Sequence, residues 1–481
     1  MKACIRFIAP ALAMLLLTSG ATPAAEKAVP NFDQAVREQA PKILAALKAK
    51  GYKNVGVLKF LARNDGGTWR DNLGPINRTL ADRLEIALLV SLKPADGMGI
   101  VFRASDVVAA SGNVRATHRS EEGRAEFFGF DPSPFYFPWN RNQKVQPDAF
   151  LTGQATLSAD LQRMTIQLQV FGNSGADKLK LQDISEFVTS VDARTLTETG
   201  ISFVGARGPF DKPIDAGQFT TQVIKDAPKQ DDTADQWQKR AETLLKEMKG
   251  LPIKIEVLYN NEPVSFEANP FRPPSERDNV LLRVREPLAR EKVSFRLSNR
   301  GTETFGVVLK VNGQNSIFRE EKAAQDCFKW ILEPGKFVVI NGFQLDNMIA
   351  ADFAVKSEAE SRKEEMNYAD NAGTFSIVVF RAATSAADTQ IVQQEEKARD
   401  LPTAMIARGT EQLTTRINAS DLASFQGELA KLTQKSEAAS GSRGIIGTSK
   451  TGTNPVMDVK FTPVPRPAFS ATIRYYDPKS K

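Results

Sequence analysis

The stretch DAFLTGQATLSADLQRMTIQLQVF, residues 148–171, decides the fold of the N-terminal part of the chain. From Met164 to Val170 every second residue is apolar, and the residues between are Thr or Gln. Because neighbouring side chains of a strand point to opposite faces, this pattern predicts a strand with one buried and one wet face. Residues 150–157 precede it across a turn at Ala159-Asp160, so we predict an antiparallel hairpin.

Upstream of this hairpin, helical and extended patterns alternate. Residues 32–50 have apolar side chains at helical spacing, and Pro41 is expected to kink this helix or to start a second one. VGVLKF, residues 55–60, is predicted to be a strand, and LGPINRTLADRLEIALL, residues 73–89, an amphipathic helix. A short strand at 99–102 and a short helix at 105–110 follow, which gives the order expected of an α/β domain.

This order of elements resembles the α/β domain shared by the amino-terminal part of TolB and the CsgG and FlgO type of envelope proteins. In those families a first strand of the IAVLPF kind leads to a long helix, and an ADyvltG strand comes later. Here VGVLKF and Asp148-Ala149-Phe150-Leu151-Thr152-Gly153 occupy those positions. The resemblance covers about residues 48–203 and implies a fold, since the shared positions are core and turn residues.

The first 25 residues have the order of a secretory signal. Lys2 and Arg6 precede an apolar run from Phe7 to Leu17, and small residues follow, so we predict cleavage near Ala21 or Ala25. The run is too short to span a bilayer. Ala21 stands where a lipoprotein would carry its anchoring cysteine, and we therefore expect a periplasmic or extracellular protein without a lipid tether.

Seven aromatic residues lie between Phe127 and Trp139, interrupted by three prolines. Prolines exclude regular helix and strand here. The segment either folds onto its own domain or forms an exposed docking surface. The candidate interaction residues in it are Phe135, Tyr136, Phe137 and Trp139.

The second half of the chain changes from helical to extended patterns. We predict a linker with a bracing helix over 208–250 and a β-sandwich over 251–381, in which several short strands are separated by Gly, Pro and Asn turns. VVLKVNGQNSIF, residues 307–318, is similar to exported bacterial domains of uncharacterised function.

Residues 382–481 are predicted to form a helical segment and a flexible basic tail. Helices are expected at 388–400 and 421–432, a flexible stretch at 438–455, and short strands at 459–461 and 471–476. The terminal strands either add to a sheet edge or belong to a free tail that touches an anionic surface. Arg474, Tyr475 and Tyr476 complete the candidate interaction surface.

Composition excludes several classes of function. The net charge of +6 is concentrated in the signal (+2) and in residues 441–481 (+5), so residues 26–440 carry −1 and a general nucleic-acid-binding protein is not expected. Cys327 is the one cysteine outside the signal and is predicted to be a buried small side chain. His118 is the one histidine of the chain and, beside Arg119 and Glu121, is predicted to be a solvated loop residue. One cysteine and one histidine cannot make a transition-metal site.

The sequence thus predicts an α+β multidomain protein: a signal peptide (1–25), an α/β domain (26–207), a linker with a bracing helix (208–250), a β-sandwich (251–381) and a tail (382–481). We expect a non-enzymatic binding or assembly role in the cell envelope, without cofactor or metal, toward a protein or polymer partner. Peripheral membrane contact through the basic tail is a further possibility. The alternative is a hydrolase of an envelope polymer that acts through two carboxylates about 5–10 Å apart.

Overall fold

The computed structural model describes residues 29–477 except 72, 112, 114, 206–215, 230, 274–276, 289–290, 346–348, 354, 356–371, 399–420, 429–442 and 448–455. The predicted signal peptide and most of the predicted flexible stretch at 438–455 lie outside the described residues.

Helices occur along the described part of the chain. They are α1 (Phe32–Ala49), α2 (Ile76–Ser91), α3 (Ala104–Ser111), α4 (Glu121–Glu126), α5 (Ala193–Glu198), α6 (Ala216–Asp226), α7 (Ala234–Lys249) and α8 (Ala386–Ala398), and residues 422–428 are helical as well. The polar residues before two of them explain where they begin. Asn31 accepts a hydrogen bond from the Gln34 amide at the start of α1, and Thr233 forms a capping box with Gln236 at the start of α7.

The strands of the first half are β1 (Asn54–Val57), β2 (Leu61–Asn64), β3 (Gly99–Val101), β4 (Tyr136–Phe137), β5 (Asn140–Lys144), β6 (Ala149–Leu157), β7 (Arg163–Gly172), β8 (Gln182–Ser190) and β9 (Phe203–Val204). The main N-terminal sheet has the order β3-β1-β6-β7-β8, with β2 beside β6. Its β1–β3, β1–β6 and β2–β6 pairs are parallel, and β6–β7 and β7–β8 are antiparallel. The predicted hairpin at 148–171 is therefore present as β6 and β7.

The two faces of this sheet differ. Helices α1 and α2 cover one face, where Leu44, Leu80 and Leu84 meet Ile166 and Leu168 in one buried cluster. Part of the other face is covered by the aromatic segment, whose Phe127 and Phe135 pack with Phe150 and Phe171. The rest of this second face has polar side chains and is only half-buried.

The strands of the second half are β10 (Ile253–Tyr259), β11 (Glu262–Val264), β12 (Glu267–Ala268), β13 (Leu282–Arg283), β14 (Val293–Asn299), β15 (Phe305–Val311), β16 (Gln314–Asn315), β17 (Lys329–Leu332), β18 (Phe337–Ile340), β19 (Gly342–Gln344), β20 (Ala350–Asp352), β21 (Thr374–Arg381), β22 (Arg443–Gly447), β23 (Val456–Lys460) and β24 (Phe469–Arg474). One sheet has the order β11-β10-β14-β18, and a larger one has the order β12-β13-β24-β21-β15-β17-β22-β23. Phe295 and Leu297 of the first sheet share a buried cluster with Val307, Leu309 and other side chains of the second. The predicted α+β fold class is confirmed, and the larger sheet is mixed, because β13–β24 and β17–β22 run parallel.

Several local predictions need correction. Helix α1 continues through Pro41, which lies on its exposed side, so Pro41 does not divide it. Strand β8 has no clear alternation and was not predicted. The segment expected to be a linker contains α6, because Phe219 and Val223 are four residues apart and bury one face of a helix in the N-terminal core. Arg443–Gly447, expected to be flexible, forms β22 beside β17 and β23.

The last part of the chain packs into both halves of the molecule. Leu422 and Phe425 are buried in the N-terminal core, and Gln426 Nε2 donates to the carbonyls of Leu89 and Leu92 at 2.8 Å, at the C-terminal end of α2. Strand β24 lies inside the larger sheet, between β13 and β21, and also pairs with β9. Leu422, Phe425 and β24, which fall in the range predicted to be a helical segment and tail, are thus parts of the folded core.

A buried ionic cluster joins the two halves. Asp33 of α1 accepts from Arg83 Nε at 2.5 Å and from Arg194 Nη1 at 3.2 Å, and Arg194 also pairs with Asp326 from the C-terminal half. These four side chains are 5 to 11 % exposed. Because buried charges are costly unless they are paired, this cluster fixes the two halves in one relative position.

None of the helices in the described ranges is both long enough and apolar enough to cross a membrane.

Candidate ligand-binding site

The aromatic residues predicted to form an interaction surface mostly fold inward. Phe135 is fully buried, with its ring 5.7 Å from that of Phe130 and 5.6 Å from that of Phe150. Phe137 stacks on Trp139 at 4.9 Å, and both rings are half-buried. Tyr136 is half-buried as well. Of the two interpretations of this segment, the structure shows the one in which it folds onto its own domain, and Phe135 is not available to a partner.

The three candidate residues near the C-terminus have internal partners. Arg474 Nη2 donates to Asp278 at 2.5 Å. The Tyr475 ring stacks on Phe375 at 5.5 Å, and its hydroxyl donates to Asn312 Oδ1 at 2.8 Å. Tyr476 is half-buried beside them. These residues are half-buried in the C-terminal half, whereas the aromatic segment belongs to the N-terminal half, so the predicted set does not form one continuous surface.

A pocket of about 310 Å³ lies instead on the second face of the N-terminal sheet. Strands β6 and β7 form its floor, and its walls come from the start of β2, the segment after β2, the loop before α4 and the residue before β8. Its lining residues are Leu61, Trp69, His118, Arg119, Thr152, Gly153, Gln154, Gln169 and Leu181. This volume lies at the lower end of the range of small-molecule sites.

The floor of the pocket is a row of hydrogen-bonded polar side chains. Gln154 Nε2 donates to Gln169 Oε1 at 3.3 Å, and Gln169 Nε2 donates to Asp183 Oδ1 at 2.9 Å. Thr152 donates its hydroxyl to the Lys59 carbonyl at 3.0 Å. These side chains occupy the positions that alternate with the apolar residues of β6 and β7. The sequence predicted this wet face, although it gave no sign of a pocket there.

His118 lies at the wall of this pocket and is 5 % exposed, so the prediction of a solvated loop residue was wrong. Its carbonyl accepts from Arg124 Nη1 at 2.8 Å, which holds the loop before α4 against the sheet. Its Nε2 is buried and has no hydrogen-bond partner among the described residues. Burial, and after it the Lys59 ammonium, lowers the pKa of His118 to about 3, so the imidazole is neutral at physiological pH.

The charged groups at and beside the pocket are paired with one another or with neighbouring groups. Asp71 lies 3.5 Å from Lys59 Nζ and 3.7 Å from Arg119 Nη2. Burial alone would raise the pKa of Asp71, but these two cations outweigh it and lower the pKa to about 2. Arg119 also donates to the Trp69 carbonyl at 3.1 Å, and the Arg63 guanidinium lies 4.1 Å from the Trp69 ring centroid. The side chains of Lys59, Arg63 and Arg119 therefore stabilise the pocket walls through contacts with Asp71 and Trp69.

The buried imidazole predicts a pH dependence of folding. The folded-state pKa of His118 is below the unfolded value of 6.5. Between these two pKa values the unfolded chain therefore binds a proton that the native protein does not bind. Stability is therefore lost as pH falls from 6.5 toward 3, at about 1.4 kcal/mol per pH unit. Urea unfolding at pH 7 and at pH 4.5 measures this effect. Between the two pH values, the free energy of unfolding of wild type should fall by about 2–3 kcal/mol more than that of His118→Gln. Equal losses in both proteins would show that His118 titrates normally.

Gly153 at the pocket floor is predicted to resist substitution. A Cβ built there lies 2.4 Å from the ring of Phe60, which is fully buried on the other face of the sheet. Gly153→Ala should cost about 1–3 kcal/mol in thermal or urea unfolding, because the core has no room for the methyl group. Gly129→Ala is the matched control, since the nearest atom to its Cβ is 3.6 Å away. A Gly153→Ala variant as stable as wild type would contradict the packing.

Carboxylates also converge between the two halves of the molecule, around Arg78 and Arg103. Arg78 Nη2 lies 2.7 Å from Asp106 and 2.8 Å from Glu321, and Arg103 Nη2 lies 3.0 Å from Glu321. Burial raises the pKa of neighbouring Asp82 to about 6, despite the nearby Arg78 guanidinium. Since Asp106 and Glu321 share the arginines, this cluster is an ionic joint between the halves. Among the described residues, no group of three or more His, Cys, Asp and Glu side chains is placed to hold a metal ion.

Cys327 is buried, as predicted, among Val308, Ala324, Val378 and Phe380. Burial raises the pKa of its thiol to about 12, so it remains protonated at neutral pH.

Comparisons with known proteins give two distant structural likenesses. The C-terminal domain of LpoB from Salmonella enterica matches 32 % of this chain and 95 % of its own length, at 11 % identity and a TM-score of 0.21. The NMR structure of E. coli LpoB matches 40 % of this chain and 84 % of its own length, at 13 % identity and a TM-score of 0.20. No protein-family model matches the chain, and no curated protein matches it by sequence. At these TM-scores the likenesses carry no argument about function, and the resemblance to the TolB and CsgG type stays a prediction.

Proposed function

We propose that the protein is an exported, non-enzymatic binding protein of the cell envelope and that its ligand occupies the pocket on the second face of the N-terminal sheet. One observation carries this proposal: His118 is 95 % buried at the pocket wall and its Nε2 has no partner among the described residues. A buried polar atom without a partner costs about 1–3 kcal/mol. Because Nε2 is itself shielded from solvent, a ligand recovers this free energy only where the surrounding side chains shift to admit its polar group.

The chemistry of the pocket supports binding over catalysis. A general acid or base works best when its pKa is near the working pH. The pKa of His118 is about 3 and that of Asp71 about 2, so at neutral pH one is a very weak base and the other a fully ionised ion-pair member. The amides of Gln154 and Gln169 can orient a ligand but cannot transfer protons.

Export is supported by the N-terminal sequence pattern of Lys2, Arg6 and the following apolar run. The free-tail hypothesis for membrane contact has less support, because β24 is an internal strand of the larger sheet. We therefore place the binding role in the N-terminal half, with the C-terminal half as its rigid support.

Retention of envelope material by the immobilised, full-length protein tests this proposal. Wild type, Gln169→Leu and Gln238→Leu are each immobilised and exposed to soluble peptide, glycan and lipid-free polymer fractions of the native envelope. The material that each protein retains is analysed by mass spectrometry. Gln238 is the matched control, because it is exposed on α7. We expect wild type and Gln238→Leu to retain a component that elutes with unchanged mass and that Gln169→Leu retains at least tenfold less. Retention that is equal in all three proteins, or conversion of the component to product, would overturn the proposal.

A further inference from the structure

We propose that the pocket binds one ring of a neutral saccharide. This inference rests on the proposed binding function and names the ligand class of the same site. It is carried by the pocket lining, which combines one indole and two leucines with an uncharged imidazole, two amides, a hydroxyl and the Arg119 guanidinium, itself paired with Asp71.

An apolar ligand does not fit this lining. It would remove the half-buried Gln154 and Gln169 amides from water without replacing the hydrogen bonds that they lose. Burial of unpaired polar groups costs several kcal/mol in total. The ligand must therefore offer hydrogen-bonding groups toward the floor of the pocket.

An anionic ligand does not fit well either. Arg119, which lines the pocket, and Lys59 beside it both pair with Asp71, and Arg119 also donates to the Trp69 carbonyl. His118 adds no positive charge, because burial keeps it neutral. The floor ends at the Asp183 carboxylate, which accepts from Gln169 Nε2 and would repel an anion.

A sugar ring has the complementary groups. Each hydroxyl both donates and accepts, which suits a neutral imidazole and amide side chains that also present both kinds of group. In the described structure Gln154 Nε2 and Gln169 Nε2 each give one hydrogen bond within the row, so each amide keeps a second N–H for a ligand. The C–H groups of the ring can contact Trp69, Leu61 and Leu181.

The single histidine makes a direct test possible. Tag-free, full-length protein labelled with ¹³C at histidine Cε1 gives one imidazole signal, which His118→Gln identifies by its loss. The probes are a panel of neutral oligosaccharides that includes N-acetylglucosamine and glucose tetramers, together with inorganic phosphate and a tetra-alanine peptide. We expect at least one oligosaccharide to shift the signal saturably, with affinity at least tenfold weaker in Gln169→Leu and unchanged in Gln238→Leu.

The outcomes separate this inference from the proposed function. A shift with the peptide or with phosphate, and none with any oligosaccharide, overturns the saccharide assignment and leaves binding at this pocket in place. A signal that no probe moves also overturns the saccharide assignment, and retention of envelope components then decides the proposed function separately. A shift by oligosaccharide that persists unchanged in Gln169→Leu would show that the sugar binds elsewhere.

Discussion

Removal of residues 456–481 is expected to unfold the C-terminal half of the protein. Strand β24 (Phe469–Arg474) pairs with β21 on one side and β13 on the other, and Phe469, Ala471 and Ile473 are fully buried. Loss of one buried Phe and one buried Ile alone costs about 5–10 kcal/mol, which equals the net stability of many domains. Circular dichroism and thermal unfolding of the truncated chain should show loss of the cooperative transition of the C-terminal sheets.

Two full-length variants distinguish this role from that of a basic tail. Ile473→Asp keeps the length of the chain but places a carboxylate between Phe375 and Leu282, its partners in the neighbouring strands, and should destabilise the protein by more than 4 kcal/mol. Lys460→Gln removes an exposed cation near the C-terminus and should stay within about 0.5 kcal/mol of wild type. If the truncated chain unfolds with the same cooperative transition as wild type, β24 does not hold the larger sheet together.

Arg194→Met is expected to destabilise the folded protein by about 3–5 kcal/mol. Arg194 is the link between Asp33 of the N-terminal half and Asp326 of the C-terminal half, and its side chain is 7 % exposed. Without it these two carboxylates are buried with fewer cationic partners, and burial of an incompletely paired charge is costly. Urea unfolding at pH 7 measures the loss.

A charge-matched rescue checks the cause of this loss. Arg194→Met combined with Asp326→Asn removes the cation together with one of its carboxylate partners and should recover at least half of the lost stability. Lys180→Ala breaks the exposed pair with Asp177, in which both side chains are at least 60 % exposed, and should cost less than about 0.5 kcal/mol. An Arg194→Met variant as stable as Lys180→Ala would contradict the buried joint.

The sequence predicted those elements whose pattern is local. The alternation of residues 164–170 predicted β7 and its wet face, and β15 and β18 lie in the stretch 251–381 for which short strands separated by turns are predicted. Each of these strands is set by its own side chains, which are apolar on at least one face. Turn residues such as Asn312-Gly313 mark where they end.

Features that depend on distant parts of the chain could not be predicted in this way. Strand β8 lies at the edge of its sheet, so only part of its side chains are buried and no clear alternation results. The position of β24 inside the larger sheet depends on pairing with residues almost 100 and 190 positions earlier. Local patterns identify a strand but do not specify its neighbours.

The candidate site was missed for a related reason. His118 stands in a polar stretch of sequence, and its burial comes from the sheet face and the loops that surround it in the folded protein. The signal that was available is the row of Thr and Gln side chains on the wet face of the predicted hairpin. An amide-rich face is compatible with solvent alone, so this row could suggest a polar surface but not a pocket.

The most direct test of ligand binding at this pocket is the ¹³C signal of the His118 imidazole in the presence of the envelope component that the immobilised protein retains. We predict a saturable shift with this component and none with the material that flows through. We also predict that binding, followed by this shift, weakens at least tenfold in Gln169→Leu and stays unchanged in Gln238→Leu. A retained component that binds wild type tightly and leaves the His118 signal where it was would contradict a binding site at this pocket.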